Sequence, residues 1–406
     1  MRSTTQLGRW AVLAVLGIAA AEVLIMISPF AGFLYSTVGF EPFLGLFSRS
    51  PLTAWLDGFF LNHAVVTHSP WLEWQRTIGQ YVLSIGLWGF LISAIQVYGN
   101  KITGRGVAKG FIYRYVRHPQ YLSLGVAGLG LLTIWPRFLL LGVWITMLFL
   151  YAGLARFEEG RMEERFAEEY RGFADGRGRF FPGSPMHRLF EKTLGRLRPR
   201  YLGWLGAYGA CLIAGFSLAF ALHAYTRASV STLPLPARNA FVVSAWPQPE
   251  AWMEGVFEAA LAGSGVPKAL QESPEGGPAI VTILPPRYRM KDMFYKAPSE
   301  QPRSGSSFLW MGQIAAGFLV PVRGVTLPKD SMGIDPDTTV EPVQLVFSRA
   351  EKAYKKNFSL EEAFDPGVRV KPFLVVDVIP GTGEVTQVIR PLPQNAWGAN
   401  VVMPAL

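Results

Sequence analysis

Apolar positions in this chain fall into long blocks through the first 225 residues and into short alternating runs afterwards. One block extends from Trp10 to about Tyr35, a second covers about 78–98, two shorter ones fill 121–135 and 137–155, and the last covers about 201–225. Crossing the hydrocarbon core of a bilayer takes roughly 20 apolar residues in a helix, so each long block predicts a membrane span. The two shorter blocks are broken at Trp135-Pro136. Proline cannot continue a helix, so this break predicts a helical hairpin with a tight turn. Arg2 and Arg9 ahead of Ala19-Ala20-Ala21 look like the start of a signal peptide, but apolar character continues well past that point, as in an uncleaved helix. Residues 36–77 are mixed, with Trp, Phe, Pro and few charges, and are expected to form an interfacial segment.

After residue 228 the periods shorten. Leu233-Pro234-Leu235-Pro236 marks the change, Phe241–Trp246 reads as a strand, and Glu250–Ala262 as an amphipathic helix. Ala279–Leu284, Val343–Phe347 and Phe373–Val378 read as further strands, and Gly381-Thr382-Gly383 as the turn of a hairpin into Val385–Ile389. Phe308–Val322 is apolar, but it is about 15 residues long with an internal Pro321, so it is expected to be buried core and not a span. No internal repeat is visible. The expected fold is an all-α polytopic membrane domain over 1–227, with about five transmembrane helices including the hairpin. A C-terminal α+β extracytoplasmic domain over 228–406, folding by itself, completes it.

Charge orients this arrangement. The 406 residues carry a formal net charge of +9. From Arg238 onward 16 Lys/Arg face 17 Asp/Glu, so the excess lies in the helical part. Residues 99–118 hold five Lys/Arg and residues 156–200 hold eleven, against only Arg49 and Arg76 in 36–77. Cytoplasmic loops are enriched in basic residues, so the N-terminus, 99–118 and 156–200 are expected in the cytoplasm and 228–406 outside. The implied location is the cytoplasmic (inner) membrane, with a periplasmic or otherwise external C-terminal domain. Basic residues set between apolar spans favour orientation over nucleic-acid binding, so no nucleic-acid partner is expected. The single cysteine, Cys211, excludes intrachain disulfides and cysteine metal cages.

The chemistry sits where the hairpin opens. The chain reads Tyr113-Arg114-Tyr115-Val116-Arg117-His118-Pro119-Gln120-Tyr121 before it and Glu158-Glu159, Phe166-Ala167-Glu168-Glu169-Tyr170 and Phe180-Phe181-Pro182 after it. Pro119 suits the first position of a helix, whose free N–H groups and positive dipole end favour a carboxylate or phosphate beside Arg117 and His118. Tyr113, Tyr115 and Tyr121 offer aromatic faces to a purine or a cation. Glu158 and Glu159 return to the same surface and suit an ammonium or sulfonium. Adjacent helical residues point roughly 100° apart, so only one of the two is expected to touch a ligand. S-adenosylmethionine carries all of these groups. Taken singly, Arg117 and His118 read equally well as headgroup contacts, and the acidic helix 157–172 as a solvated face; it is their joint order that selects a site.

These motifs resemble the isoprenylcysteine carboxyl methyltransferase and phospholipid methyltransferase superfamily of integral membrane enzymes. The carriers are Arg117-His118-Pro119-Gln120-Tyr121, Glu158-Glu159, Phe166-Ala167-Glu168-Glu169-Tyr170 and Phe181-Pro182, with Ala167 where the family usually has glycine. The resemblance implies S-adenosylmethionine as cofactor, bound by Arg117, His118, Tyr121, Glu158 and Glu159, with Tyr170 closing the pocket; the aromatic face of Tyr113 is expected to join them. His118 and Glu159 are the nearest candidates for catalytic proton handling. Family members methylate a carboxylate, a phospholipid amine or a thiol, so a lipid-borne or small hydrophobic acceptor is expected from the bilayer. The alternative is a non-catalytic subunit that anchors its outer domain to a larger complex; Trp246, Trp252, Trp310 and Trp397 in 228–406 would then serve a protein partner, or else fill ordinary core.

Other polar positions weigh less. Glu22 lies within the first span, where a carboxylate is costly. His63 and His68 are five residues apart, about 140° around a helix, and lack a third ligand, so no metal is expected. Arg137, after the hairpin turn, reads as a snorkelling headgroup contact.

Overall fold

A computed structural model describes residues 24, 27–30, 47, 49–62, 65–103, 108–165, 167–175, 177–180, 200–271, 278–286, 341–352, 355 and 358–390. The helices are α1 (Pro70–Ile102), α2 (Pro119–Ile134), α3 (Phe138–Arg165), the short α4 (Ala167–Ala174) and α5 (Arg200–Ala228). Among the described residues three helices, in α1, α3 and α5, are long and apolar enough to cross a membrane, and α2 is a shorter apolar helix. Most of the first predicted span, with Glu22, lies outside the described residues, as do His63 and Phe308–Val322.

The hairpin forms where proline demanded it. α2 ends at Ile134, Trp135 and Pro136 make the turn, and α3 starts at Phe138. α1 lies along α2 with the two backbones nearly touching. Gly86 rests against Ala127, where a Cβ would stand 2.7 Å from the Ser123 carbonyl oxygen, and Gly130 rests against Leu83, where a Cβ would stand 2.6 Å from its Cα. Small residues at a crossing let membrane helices approach in this way, since lipid supplies no hydrophobic drive to bring them together.

The C-terminal part is a six-stranded sheet in the order β1 (Thr232–Leu235), β2 (Ala240–Ser244), β3 (Ala279–Leu284), β4 (Val343–Glu351), β5 (Arg369–Ile379) and β6 (Glu384–Ile389). Only β2 and β3 pair in parallel, and their crossover carries α6 (Glu250–Ala262) and α7 (Val266–Gln271). Parallel neighbours need such a connection, whereas the antiparallel pairs β1–β2 and β5–β6 are joined by short turns. α6 buries Met253, Val256, Phe257 and Ala260 against the sheet. Pro372 lies inside β5 at the point where its register against β4 shifts, a place where a strand tolerates the missing donor. Trp246 is core, edge-on to Trp252 at 5.6 Å; Trp310 and Trp397 lie outside the described residues.

The segment expected to be interfacial docks on this sheet instead. Val66 joins the sheet core on the α6 side and Val65 the core on the opposite face. The Val66 N–H donates to the Ala245 carbonyl, the His68 N–H to the Ser229 carbonyl, and the His68 ring meets Ser231 Oγ at 2.9 Å. Gly367, at φ +87°, lies so close to the Ala54 carbonyl that no side chain fits there. The same segment caps the hairpin turn, with Phe60 N–H donating to the Pro136 carbonyl and Phe138 N–H to the Gly58 carbonyl. Arg137 therefore does not snorkel: it pairs with half-buried Asp57, lies over the Phe59 ring, and shares Asp57 with Arg369 at 3.7 Å. A partly shielded carboxylate within reach outcompetes lipid headgroups because it needs no chain extension to water.

Candidate functional site

The opposite end of the hairpin carries the charged motifs, about 24 Å away along the 16 residues of α2. His118 is the N-cap of α2 and Pro119 its first residue, so the free amides of the first turn face the motif segment. Ahead of it, a 3-10 turn (Phe111–Arg114) buries Tyr113, whose hydroxyl donates to Gln120 Oε1 at 2.9 Å. Phe111 starts that turn in the left-handed region, at φ 49°, with its ring exposed. Such a backbone is costly for a bulky residue and persists only where neighbours fix it. Tyr115, one of the aromatics noted in the sequence, is exposed and stands away from the cluster.

Glu159 is the hub. Buried near the end of α3, it takes Arg117 Nη1 at 3.0 Å and His118 Nε2 at 3.3 Å. Arg179 Nε reaches both of its oxygens at 3.1 Å, and Arg179 Nη2 adds a further contact. Glu158, one residue back, points outward with its side chain about two-fifths exposed; it accepts from the Tyr121 hydroxyl at 2.5 Å and lies 3.4 Å from His118 Nδ1. The two adjacent carboxylates thus take different tasks, one inward and one toward the surface. The Tyr121 ring stacks between His118 (5.8 Å) and Tyr151 (4.9 Å). Tyr151 was not singled out in the sequence because it reads as one more aromatic in an apolar helix.

A strap of chain after α4 closes the cluster. Val116 and Gly178 form a parallel bridge, Arg117 N–H donates to the Gly178 carbonyl, and His118 N–H to the Arg179 carbonyl. Phe180 stands 6.3 Å from the His118 ring, while Phe181 and Pro182 lie outside the described residues. Tyr170 is buried with Tyr113, Phe173 and Ala108. The Tyr170 hydroxyl, Arg117 Nε and His118 Nδ1 are buried without a hydrogen-bond partner of good geometry.

Residues 76–169 match the phospholipid methyltransferase family. No curated protein and no solved structure matches the chain. The match implies a membrane methyltransferase, and it contains all of α2 and α3, most of α1, and the residues from Tyr113 to Glu159 discussed above. Tyr170 and the Arg177–Phe180 strap follow just after the part matched to the phospholipid methyltransferase family, as does the sheet.

Electrostatics around Glu159 follow from burial. Burial alone would depress the His118 pKa, but contact with Glu158 and Glu159 outweighs it and raises the value above the ordinary 6.5. Burial pushes Tyr170 up to about 12, with the Glu159 charge adding and Arg117 opposing. Burial, then the Glu158 charge, raises Tyr113 as well. A histidine whose folded pKa is raised stabilises the fold fully below about pH 6.5 and loses that contribution as pH climbs through the raised value. The stability gap between wild type and His118→Gln is therefore expected to be widest near pH 6 and to shrink toward pH 9 in thermal unfolding series. A gap that widens with pH would mean that His118 is neutral in the fold.

Proposed function

We propose that this protein is an S-adenosylmethionine-dependent methyltransferase acting on a lipid-borne or small hydrophobic acceptor. The observation that carries the reading is the set of buried polar atoms beside Glu159 whose hydrogen bonding within the fold is incomplete. Arg117 Nε and the Tyr170 hydroxyl are donors suited to a carboxylate, and both are buried with no hydrogen bond of good geometry, the Arg117 guanidinium lying beside the Tyr170 hydroxyl. Glu158, partly exposed, suits an ammonium or sulfonium, and Phe180 lies 6.3 Å from the ring of His118, which contacts Glu158. When bound, S-adenosylmethionine supplies an electrophilic methyl group for direct substitution by the acceptor's nucleophile. The chain's own part is to fix both partners at reacting distance, roughly 3–3.5 Å, and to keep water out. His118 and Glu159, 3.3 Å apart, are the pair we assign to proton handling for acceptors that must lose a proton.

We further propose that the cofactor site faces the cytoplasm, that 1–227 is the methyltransferase domain, and that 228–406 is an extracytoplasmic domain. The basic loops support the orientation, and the sheet attaches at the hairpin turn, the end remote from Glu159. Donor and acceptor must meet near Glu158, so the sheet's task is docking or acceptor presentation and not methyl transfer.

Calorimetry with purified protein tests the cofactor. S-adenosylmethionine should bind, and Glu158→Ala or His118→Ala should weaken binding by about 1–3 kcal/mol through loss of a charged partner. Unchanged affinity in both variants would remove these residues from the site. Reporter fusions test the orientation: one placed after residue 175 should be active only in the cytoplasm, one at the C-terminus only outside. The opposite pattern would invert the topology.

A further inference from the structure

We infer that Arg179 is a positioning residue of the cofactor site, acting through Glu159 on His118. Three observations place it in that role. Its guanidinium engages both oxygens of buried Glu159, with Nε at 3.1 Å from each. Its backbone carbonyl accepts the His118 N–H at 3.1 Å, so one residue fixes both the imidazole's backbone and the carboxylate facing the ring. The strap that carries it is itself tied down, by the Val116–Gly178 bridge and by Arg177 Nε donating to the Arg114 carbonyl at 3.1 Å.

The charge count explains why a second arginine is needed. Glu159 is buried, and a lone carboxylate there is costly unless it is paired and hydrogen-bonded. Arg117 and Arg179 approach it from opposite sides in sequence, one just before α2 and one after α4. With two guanidiniums on one carboxylate, Glu159 draws less on the His118 proton, leaving the imidazole to be shared with Glu158 at 3.4 Å. Arg179 thereby sets which carboxylate His118 serves, and keeps Arg117 Nε turned to where a ligand carboxylate would lie. Only this last step rests on the cofactor reading; the control of His118 does not.

The groups facing His118 are Glu158 and Glu159 from α3, Tyr121 from α2, Phe180 from the strap, and Arg117 and Arg179 across Glu159. Selective isotope labelling follows His118 among the five histidines of the chain by NMR in detergent micelles. Arg179→Gln removes a positive charge and frees Glu159 for His118, so the His118 titration midpoint should move upward by about one pH unit. Arg179→Lys, which keeps the charge, should leave it near wild type. An unmoved midpoint in folded Arg179→Gln would overturn the proposal. Should Arg179→Gln fail to fold, the exchange is made in a Glu159→Gln background, where the buried carboxylate that Arg179 balances is already neutral. There it should move the midpoint far less, and an undiminished upward shift would mean that Arg179 acts independently of Glu159. Calorimetry with S-adenosylmethionine forms a separate arm, expected to lose roughly tenfold in affinity with Arg179→Gln and less with Arg179→Lys. Equal losses would contradict positioning by charge. A moved midpoint in a wild-type protein that binds no S-adenosylmethionine would instead keep Arg179's role and overturn the choice of cofactor.

Discussion

Replacing Glu159 by alanine is expected to destabilise the protein by about 3–5 kcal/mol and to abolish cofactor binding. The effect is large because the carboxylate is the common partner of Arg117, Arg179 and His118, so its loss leaves three cationic groups crowded around a void. Breaking a buried ion pair by removing one partner costs far more than the pair contributes, since the remaining charge stays desolvated. Here the strap residue and the N-cap residue both lose their anchor, which loosens the start of α2 as well. Glu159→Gln keeps the shape and two acceptor or donor atoms and should lose less. Thermal unfolding in one detergent, with circular dichroism at the helical band, measures both. A Glu159→Ala protein within 1 kcal/mol of wild type would show that these contacts are not maintained in the folded state.

The second large effect is expected from Gly130→Val, at about 3 kcal/mol or more. Valine costs little in an isolated membrane helix, so any loss reports on the crossing with α1. A Cβ at this position would stand 2.7 Å from the Gly79 carbonyl oxygen and 2.6 Å from Leu83 Cα, and neither backbone atom can swing away. The helices would have to separate by about 1 Å over their length, giving up the dispersion contacts that hold them together in lipid. Gly99→Val, at a position with open space beside it, is the matched control and should change little. Equal melting temperatures for the two variants would argue against this packing.

Much of this fold was legible because its signals are local. Trp135-Pro136 broke the hairpin where the turn stands, and α6 and β3 have the bounds their patterning predicted. β4 and β5 run beyond the predicted runs, since pairing extends strands past their apolar centres. β1 was missed: Leu233-Pro234-Leu235-Pro236 reads as extended polyproline-like chain, yet an edge strand tolerates Pro234 because it needs donors on one side only. For the site, the order Arg117-His118, Glu158-Glu159 was enough to gather those four residues. Arg179 was invisible, because it lies 20 residues past Glu159 in a strap with no periodicity and reads as one more basic loop residue. Docking of residues 54–62 and 65–69 was equally hidden; mixed composition describes a surface segment and a clamp alike.

Val65 and Val66 carry a consequence for how the molecule is made. They precede α1, yet each is buried in a core of a sheet whose strands begin at Thr232 and end at Ile389. A ribosome delivers these two valines well over a hundred residues before the first strand, so they must wait, exposed, through the synthesis of every helix in between. Contacts of such long sequence separation form late because the intervening loop must be closed first. The hairpin turn shortens that search by holding residues 54–62 against Pro136 and Phe138. Maturation thus runs in one direction: inserted helices present a half-built wall, and the sheet is finished upon it.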